Sequence, residues 1–244
     1  YSLILFSSDY DLEKEKECLD VVKRYRVDGL IMVPVDENGA ECRGMVSRLD
    51  IPTVVITRHA TGIDSFYVAH DEAGAQVAEH LKSVGCEHYI FVGTTEDKKY
   101  LGFAEKMKET DLHFEQKLTL IETKNSREIQ GILKAHFDTH PGKTGIFAYN
   151  DRRAVQVHGI LQKLGISMPE RAALVGFDNT YTCEYLYPAL SSVSQPNREM
   201  AEEAVNILIK NIGQPEGREL VAHPMGARLI VRESSEISEK ERTK

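Results

Sequence analysis

The chain has 244 residues, of which 41% are hydrophobic and 28% are charged, a composition typical of one large or two small globular domains. Its formal net charge of −8 argues against nucleic-acid binding by the chain itself, because phosphate recognition needs a basic surface. No apolar run reaches the length of a membrane span and no signal-peptide pattern opens the sequence, so we expect no membrane contact.

Short apolar strands alternate with amphipathic helices along almost the whole chain. Strand patterns cover Leu3–Phe6, Val27–Val33, Pro52–Thr57, Phe66–Ala69, Tyr89–Val92, Leu118–Ile121, Gly145–Ala148, Ala173–Phe177 and Arg228–Val231. Helical patterns cover Leu12–Arg26, Ala40–Leu49, Ala73–Val84, Leu101–Lys108, Glu128–Phe137, Arg153–Leu164 and Glu199–Ile212. Continuous apolar strands separated by helices indicate parallel sheets covered on both faces. So many strand–helix units in this length predict two doubly wound α/β sheets rather than one.

Polar side chains follow two of the predicted strands. Asn150 comes shortly after Gly145–Ala148, and Asp178 comes directly after Ala173–Phe177. Ligands of parallel sheets bind beyond the carboxyl ends of the strands, so both residues are candidate binding groups. The amide offers a donor and an acceptor and the carboxylate offers acceptors, a mixture that suits a ligand rich in hydroxyl groups. For Asp151, we expect the N-cap of the following helix rather than a ligand contact.

Other chemical motifs are weak. His136 and His140 have the i,i+4 spacing of metal ligands, but no third ligand is in view, so we expect a solvated helix end. The sequence Gly142-Lys143-Thr144 lacks the earlier glycine of a phosphate loop. No nucleophile elbow is present, and we expect neither an enzyme nor a bound cofactor or metal. The scattered cysteines are expected to be free thiols: Cys18, Cys42, Cys86 and Cys183.

Five segments carry a family resemblance when they are read together. They are VDGLIMVPV, HDEAGAQVAEHL, YIFVGT, GIFAYNDRRAVQVHGILQKLGISMPERAALVGFDNT and YPALSSVSQP. In this order they resemble the effector-binding core of the lactose-repressor/galactose-repressor (LacI/GalR) family of transcription regulators. The match runs from Tyr1 to about Ser234, and Asn150–Pro196 is its most specific part.

The resemblance implies a fold similar to that of type I periplasmic binding proteins. Two similar doubly wound parallel-sheet subdomains would be joined by a three-strand hinge, with the ligand in the cleft. The N-terminal subdomain would hold residues 1–70 and 196–222, and the C-terminal subdomain residues 71–195 and 223–234. The family's first strand and helix have no counterpart here, and we expect the chain to be part of a longer regulator. Residues 235–244 have few apolar side chains and are expected to form a disordered tail.

The resemblance also assigns effector-binding groups position by position. The family's strand-tip asparagine matches Asn150, and its key carboxylate matches Asp178. The acidic residue at the first crossing between subdomains matches Glu72, with Asp71 beside it. The glutamine of the hinge strand matches Gln195.

Two further positions depart from the family pattern. Lys99 stands where the family usually has an arginine that clamps the effector, and lysine cannot form the planar bidentate fork. Lys124 lies where relatives often stack an aromatic ring on the ligand. We therefore include Lys99 and Lys124 in the predicted effector site but expect a sugar-like ligand rather than a carboxylate.

The resemblance implies a cytoplasmic regulator that senses a small polar metabolite. We expect a homodimer, formed near the helices Asn38–Leu49 and Ala73–Val84, that meets operator DNA only through an N-terminal headpiece for which this chain has no matching residues. The alternative is a solute-binding protein of a transport system, because that class shares the fold.

Overall fold

The structure is a computed structural model that describes residues 1–36, 40–213 and 220–236. The chain divides into two compact units. Unit 1 holds Tyr1–Val68 and Pro196–Met225, and unit 2 holds Ala69–Gln195 and the segment from Gly226 onward. No helix in the described ranges combines the length and the apolar character that a membrane crossing requires.

Helices and strands alternate along both units. The helices are α1 Leu12–Tyr25, α2 Ala40–Val46, α3 His70–Ser83, α4 Lys98–Thr110, α5 Phe114–Lys117, α6 Ser126–Thr139, α7 Asp151–Lys163, α8 Thr182–Tyr185 and α9 Asn197–Gly213. The strands are β1 Leu30–Met32, β2 Thr53–Thr57, β3 Asp64–Val68, β4 His88–Val92, β5 Leu118–Ile121, β6 Thr144–Ala148, β7 Ala172–Phe177, β8 Ser191–Ser194, β9 Ala222–Met225 and β10 Arg228–Ile230.

Unit 1 contains a parallel sheet in the order β1-β2-β3-β9. The predicted strand at Leu3–Phe6 is wrong, because these residues have no regular secondary structure, and Leu3 and Leu5 are 92% and 88% exposed. A strand requires a neighbour whose backbone completes the hydrogen-bond ladder, and no described strand pairs with this segment. Apolar character alone therefore did not produce a strand.

Unit 2 contains a six-stranded sheet in the order β10-β8-β7-β6-β4-β5. All neighbours are parallel except β10, which runs antiparallel to β8 at the edge. Every residue of β6 and β7 is buried, as expected for strands covered on both faces. The core on one face includes Ile90, Val92, Ile129, Leu133, Ile146 and Leu174. This sheet holds the strand ends that carry Asn150 and Asp178.

Two glycines allow α3 and α4 to approach closely within unit 2. A Cβ atom added at Gly102 would lie 1.9 Å from the carbonyl oxygen of Asp71, and one at Gly74 would lie 2.1 Å from that of Lys99. Neither contact is possible for a residue with a side chain. The two glycines therefore set the position of the first turn of α4, which carries Lys99.

The predicted disordered tail is wrong at its first residue. Ser234 and Ser235 are fully buried in unit 2. The hydroxyl of Ser235 lies 2.7 Å from the hydroxyl of Ser191 and 2.7 Å from Nε2 of His80. Hydrogen bonds thus hold Ser235 in place. The sequence predicts no packing here because the segment has few apolar residues. Residues 237–244 lie outside the described part of the chain.

Candidate functional site

The carboxyl ends of β4, β6 and β7 lie side by side in unit 2, because these strands are parallel neighbours. Tyr149 and Asn150 follow β6, and Asp178 follows β7. The helix α4, which follows β4, begins at Lys98 and brings Lys99 to the same edge. The sheet therefore gathers three of the predicted site residues at one edge.

Asp178 lies in a turn with an unusual backbone. Its φ is 101° and that of Asn179 is 47°, values that residues other than glycine rarely adopt. The Asp178 amide donates to the carbonyl of Val193 at 2.9 Å, and Nε2 of Gln195 donates to Oδ1 of Asp178 at 2.7 Å. Strand β8 thus holds the backbone of Asp178, and Gln195, the residue that follows β8, holds its carboxylate.

Burial raises the pKa of Asp178 to about 6. The positive charge of Lys99 and the hydrogen bond from Gln195 act in the opposite direction, whereas the charge of Asp151 adds to the increase. At neutral pH the carboxylate is ionised and can accept hydrogen bonds from ligand hydroxyl groups. Below pH 6 it becomes protonated and loses part of this capacity.

Lys99 lies between two aromatic rings. Its Nζ is 4.5 Å from the ring centre of Phe177 and 5.6 Å from that of Tyr149. It donates to the carbonyl oxygen of Tyr149 at 3.1 Å and lies 3.7 Å from Oδ2 of Asp97. The ammonium charge is therefore already paired with a carboxylate and supported by π faces.

His70 opens helix α3 beside the same group. Its ring packs edge-on against Phe177 with centroids 5.6 Å apart. Burial, reinforced by the charge of Lys99, lowers the pKa of His70 to about 4, while a hydrogen bond with Gln195 opposes this change. His70 is therefore neutral at physiological pH. Gln195 contacts both His70 and Asp178.

The predicted helix cap at the start of α7 is wrong by one residue. Asn150 is the N-cap, because its Oδ1 accepts a hydrogen bond from the amide of Arg153 at 3.0 Å. Asp151, predicted as the cap, is 1% exposed and bonds to other segments of the chain. The amide nitrogen of the Asn150 side chain remains available as a donor. The cap prediction failed because both residue types cap helices, and the sequence does not fix which one lies outside the first turn.

Among the described residues, no hydrogen bond or ion pair joins the two remaining predicted residues to this group. Glu72 lies exposed in the first turn of α3. Lys124 is also exposed, and its backbone carbonyl accepts a hydrogen bond from Gln156 at 3.4 Å. Asp178, Gln195, Asn150 and Lys99 therefore follow β7, β8, β6 and β4, whereas Lys124 follows β5 at the same edge without sharing their contacts.

The histidine pair at the end of α6 is not a solvated helix end. His136 is 5% exposed, and its two ring nitrogens lie 3.1 Å from the hydroxyl groups of Thr119 and Thr144. Its ring stacks on that of His140, with centroids 4.4 Å apart. Within the described residues, no group of three or more His, Cys, Asp or Glu side chains could hold a metal ion. Cys18, Cys86 and Cys183 are free thiols, and the side chain of Cys42 lies outside the description.

Sequence reasoning missed the residues that surround Lys99. Phe177 is predicted only as the end of a strand, and Tyr149, Asp97 and His70 are not predicted to take part in a site. The signal for the two aromatic residues was available, since each occupies the last position before a polar strand-tip residue. The contact between His70 and Gln195 joins residues 125 positions apart in the sequence, and no local pattern could have indicated it.

Known proteins are similar to this chain over most of its length. Residues 78–235 match the family model described as a periplasmic binding protein-like domain. The chain is 27% identical to the ribose operon repressor of Halalkalibacterium halodurans, over 98% of this chain and 72% of the relative.

Two solved structures are also similar. One is a periplasmic binding protein/LacI transcriptional regulator from Alkaliphilus metalliredigens in complex with D-xylulofuranose, with 28% identity, a TM-score of 0.79 and coverage of 97% of this chain and 88% of that one. The other is a LacI family regulator from Enterococcus faecalis with bound ribose, with 25% identity, a TM-score of 0.77 and coverage of 96% and 87%. The two similar structures are thus of LacI-type transcription regulators, and the chain itself belongs to the periplasmic binding protein-like domain family.

Proposed function

We propose that this chain senses a small sugar, with a pentose as the first candidate, and that it does so for a transcription regulator. The observation that carries the proposal is the group formed by Asp178, Gln195 and Lys99 against the rings of Tyr149 and Phe177. Sugars present hydroxyl groups for polar partners and C–H faces for aromatic rings. Two similar proteins have structures with a pentose bound, which narrows the ligand class.

Each residue has a defined role in this proposal. The Asp178 carboxylate accepts hydrogen bonds from sugar hydroxyls, and Gln195 fixes its direction. The side-chain amide of Asn150 donates to a hydroxyl oxygen, because its own oxygen is used in the helix cap. Lys99 donates to another hydroxyl without offering a free charge, since Asp97 lies 3.7 Å away. A neutral ligand fits this pairing better than a carboxylate ligand.

The proposal also covers the location, the assembly and the DNA binding of the regulator. We place it in the cytoplasm as a homodimer that binds operator DNA through a separate headpiece. The effector can change DNA binding only by as much as its affinity differs between two arrangements of the protein. The apolar stripe of α3, formed by Val77 and Leu81, is fully buried inside unit 2 and is not available to a second copy. The dimer proposal therefore rests on the family resemblance.

A thermal-shift screen tests the ligand class. The panel contains D-ribose, D-xylulose, D-glucose, hypoxanthine and citrate, each added to the wild type and to Asp178→Asn. We expect a pentose to raise the melting temperature of the wild type and to raise that of the variant much less at the same concentration. Stabilisation by hypoxanthine or citrate alone would overturn the sugar assignment, and equal stabilisation of both proteins would overturn the site.

A further inference from the structure

Asp151 is a buried carboxylate with an unusual set of partners. It is 1% exposed. In the described parts of the chain, no Lys, Arg or His nitrogen lies within 4 Å of it. A buried charge without a counter-ion is costly unless hydrogen bonds satisfy it. Asp151 therefore depends on the donors that surround it.

Three donors reach the carboxylate of Asp151. The amide of Thr180 donates at 2.6 Å, the hydroxyl of Ser192 at 2.6 Å and the thiol of Cys183 at 3.1 Å. They belong to the turn after β7, to strand β8 and to helix α8, respectively. One side chain on α7 thus ties together the three segments that follow Asp178.

The partner on β8 extends this network to the next backbone position. The hydroxyl of Ser192 accepts a hydrogen bond from the amide of Asn179 at 3.0 Å while it donates to Asp151. The amides of residues 179 and 180, immediately after Asp178, are therefore both held by Asp151, one directly and one through Ser192. Strand β7 makes room for the carboxylate at Gly176, where a Cβ atom would lie 2.3 Å from Oδ1 of Asp151.

We propose that Asp151 is a positioning residue for the effector site, holding the strained turn that presents Asp178. This proposal rests on the proposed function, because the turn is assumed to present Asp178 to a bound effector. The same residue begins the helix whose N-cap is Asn150, so it links the two strand-tip groups predicted to bind the effector. It does not itself face the ligand in this proposal.

The electrostatic effect of Asp151 provides a readout that a purely structural role would not change. Burial is the largest cause of the raised pKa of Asp178, and the charge of Asp151 adds to it. Replacing Asp151 by asparagine removes the charge and turns one acceptor into a donor facing other donors. Both changes lower the pKa of Asp178, the first directly and the second by exposing the turn to water.

The experiment compares Asp151→Asn and Ser192→Ala with the wild-type chain and with Asp138→Asn, an exposed carboxylate at the end of α6 that serves as a matched control. Carboxyl ¹³C NMR follows the titration of Asp178, and hydrogen exchange follows the amides of residues 179 and 180. For Asp151→Asn we expect the midpoint to fall by about one pH unit and amide exchange to accelerate at least about tenfold.

Ser192→Ala keeps the charge and removes only the bridging hydroxyl, so it tests the proposal even if Asp151→Asn fails to fold. We expect faster exchange at the amide of Asn179. Behaviour identical to that of Asp138→Asn in both measurements would overturn the proposal. These readouts need no ligand, so a failure of every sugar to bind would count against the proposed function alone.

Discussion

Unit 2 and unit 1 both consist of alternating strands and helices, but they differ in how completely their strands are buried. In unit 2, all residues of β6 and β7 are buried between two layers of helices. In unit 1, the inner strands β2 and β3 mix buried and half-buried residues, all three residues of β1 are half-buried, and the apolar segment Leu3–Phe6 is largely exposed. The candidate site lies on unit 2, where burial holds its side chains in fixed positions.

This difference indicates how the site is made. A carboxylate with a pKa near 6 and a turn with positive φ both require surroundings that do not relax. Unit 2 supplies these surroundings through fully buried strands and through glycine-mediated helix contacts. We therefore expect substitutions inside unit 2 to have larger effects than comparable substitutions inside unit 1.

The largest effect is expected at the contact between α3 and α4. Gly102→Ala places a Cβ atom 1.9 Å from a backbone oxygen, and we expect it to lower the free energy of unfolding by about 3 kcal/mol or more. Urea denaturation followed by far-ultraviolet circular dichroism measures this change.

Two glycines that have open space around them provide matched controls. Gly159 on α7 of unit 2 and Gly44 on α2 of unit 1 have no heavy atom within 4 Å of an added Cβ. Alanine at either position should be neutral or stabilise the chain by up to about 1 kcal/mol. If Gly102→Ala were tolerated as well as these two variants, the close-packing account of unit 2 would be wrong.

A smaller effect is expected from acid in unit 2. Burial and the neighbouring His140, His88 and Arg171 lower the pKa of His136 to about 4, below its ordinary value of 6.5. A histidine whose pKa is lower in the folded state contributes stability that is complete above about pH 6.5. That stability is lost as the pH falls toward 4.

We expect protonation of His136 to lower the free energy of unfolding by on the order of 2 kcal/mol between pH 7 and pH 4. Unfolding by urea at several pH values should show the loss in the wild type and a smaller one in His136→Gln. His113→Gln, at an exposed histidine, is the control. Equal acid dependence in all three proteins would contradict the assignment.

The smallest effect on stability is expected at a carboxylate in unit 1. Its dependence on pH is opposite to that of His136, because its contribution is lost as the pH rises. Burial raises the pKa of Glu15, with the charge of Asp36 adding to the increase, while the Val35 amide and Arg58 lower it. Among the described residues, Oε1 of Glu15 has no hydrogen-bond partner. A carboxyl group whose pKa is raised by folding contributes stability that is lost as the pH rises through that pKa.

We therefore expect Glu15→Gln to stabilise the chain at pH 7 by about 1 kcal/mol, because it removes an under-satisfied buried charge. The gain should disappear at low pH, where Glu15 itself is protonated. Urea unfolding at pH 7 and pH 4 tests both parts. A loss of stability at pH 7 would show that the charge of Glu15 is needed in unit 1.

The contrast between the units also explains what the sequence could predict. Strand β7 was predictable because every residue from Ala172 to Phe177 is apolar or glycine. Leu3–Phe6 is also entirely apolar, but a strand needs a neighbouring strand as well, and no local pattern specifies that neighbour. At the site, Asp178 was predictable from its place after β7, whereas the network of Asp151 depends on donors from distant segments. The burial of Ser235 was not predicted, because its hydroxyl group is held by hydrogen bonds and the segment has few apolar side chains that would indicate packing.

Calorimetric titration of the full chain with D-ribose and D-xylulose, in the wild type and in Asp178→Asn, tests the central claim most directly. We predict saturable binding of at least one pentose at pH 7.5 and affinity that weakens below pH 6 as Asp178 becomes protonated. Asp178→Asn should lose about 1.5–3 kcal/mol of binding free energy, roughly a 10- to 150-fold weaker affinity, with unchanged thermal stability. Binding of equal strength in both proteins, or no binding of either pentose to the wild type, would contradict the account.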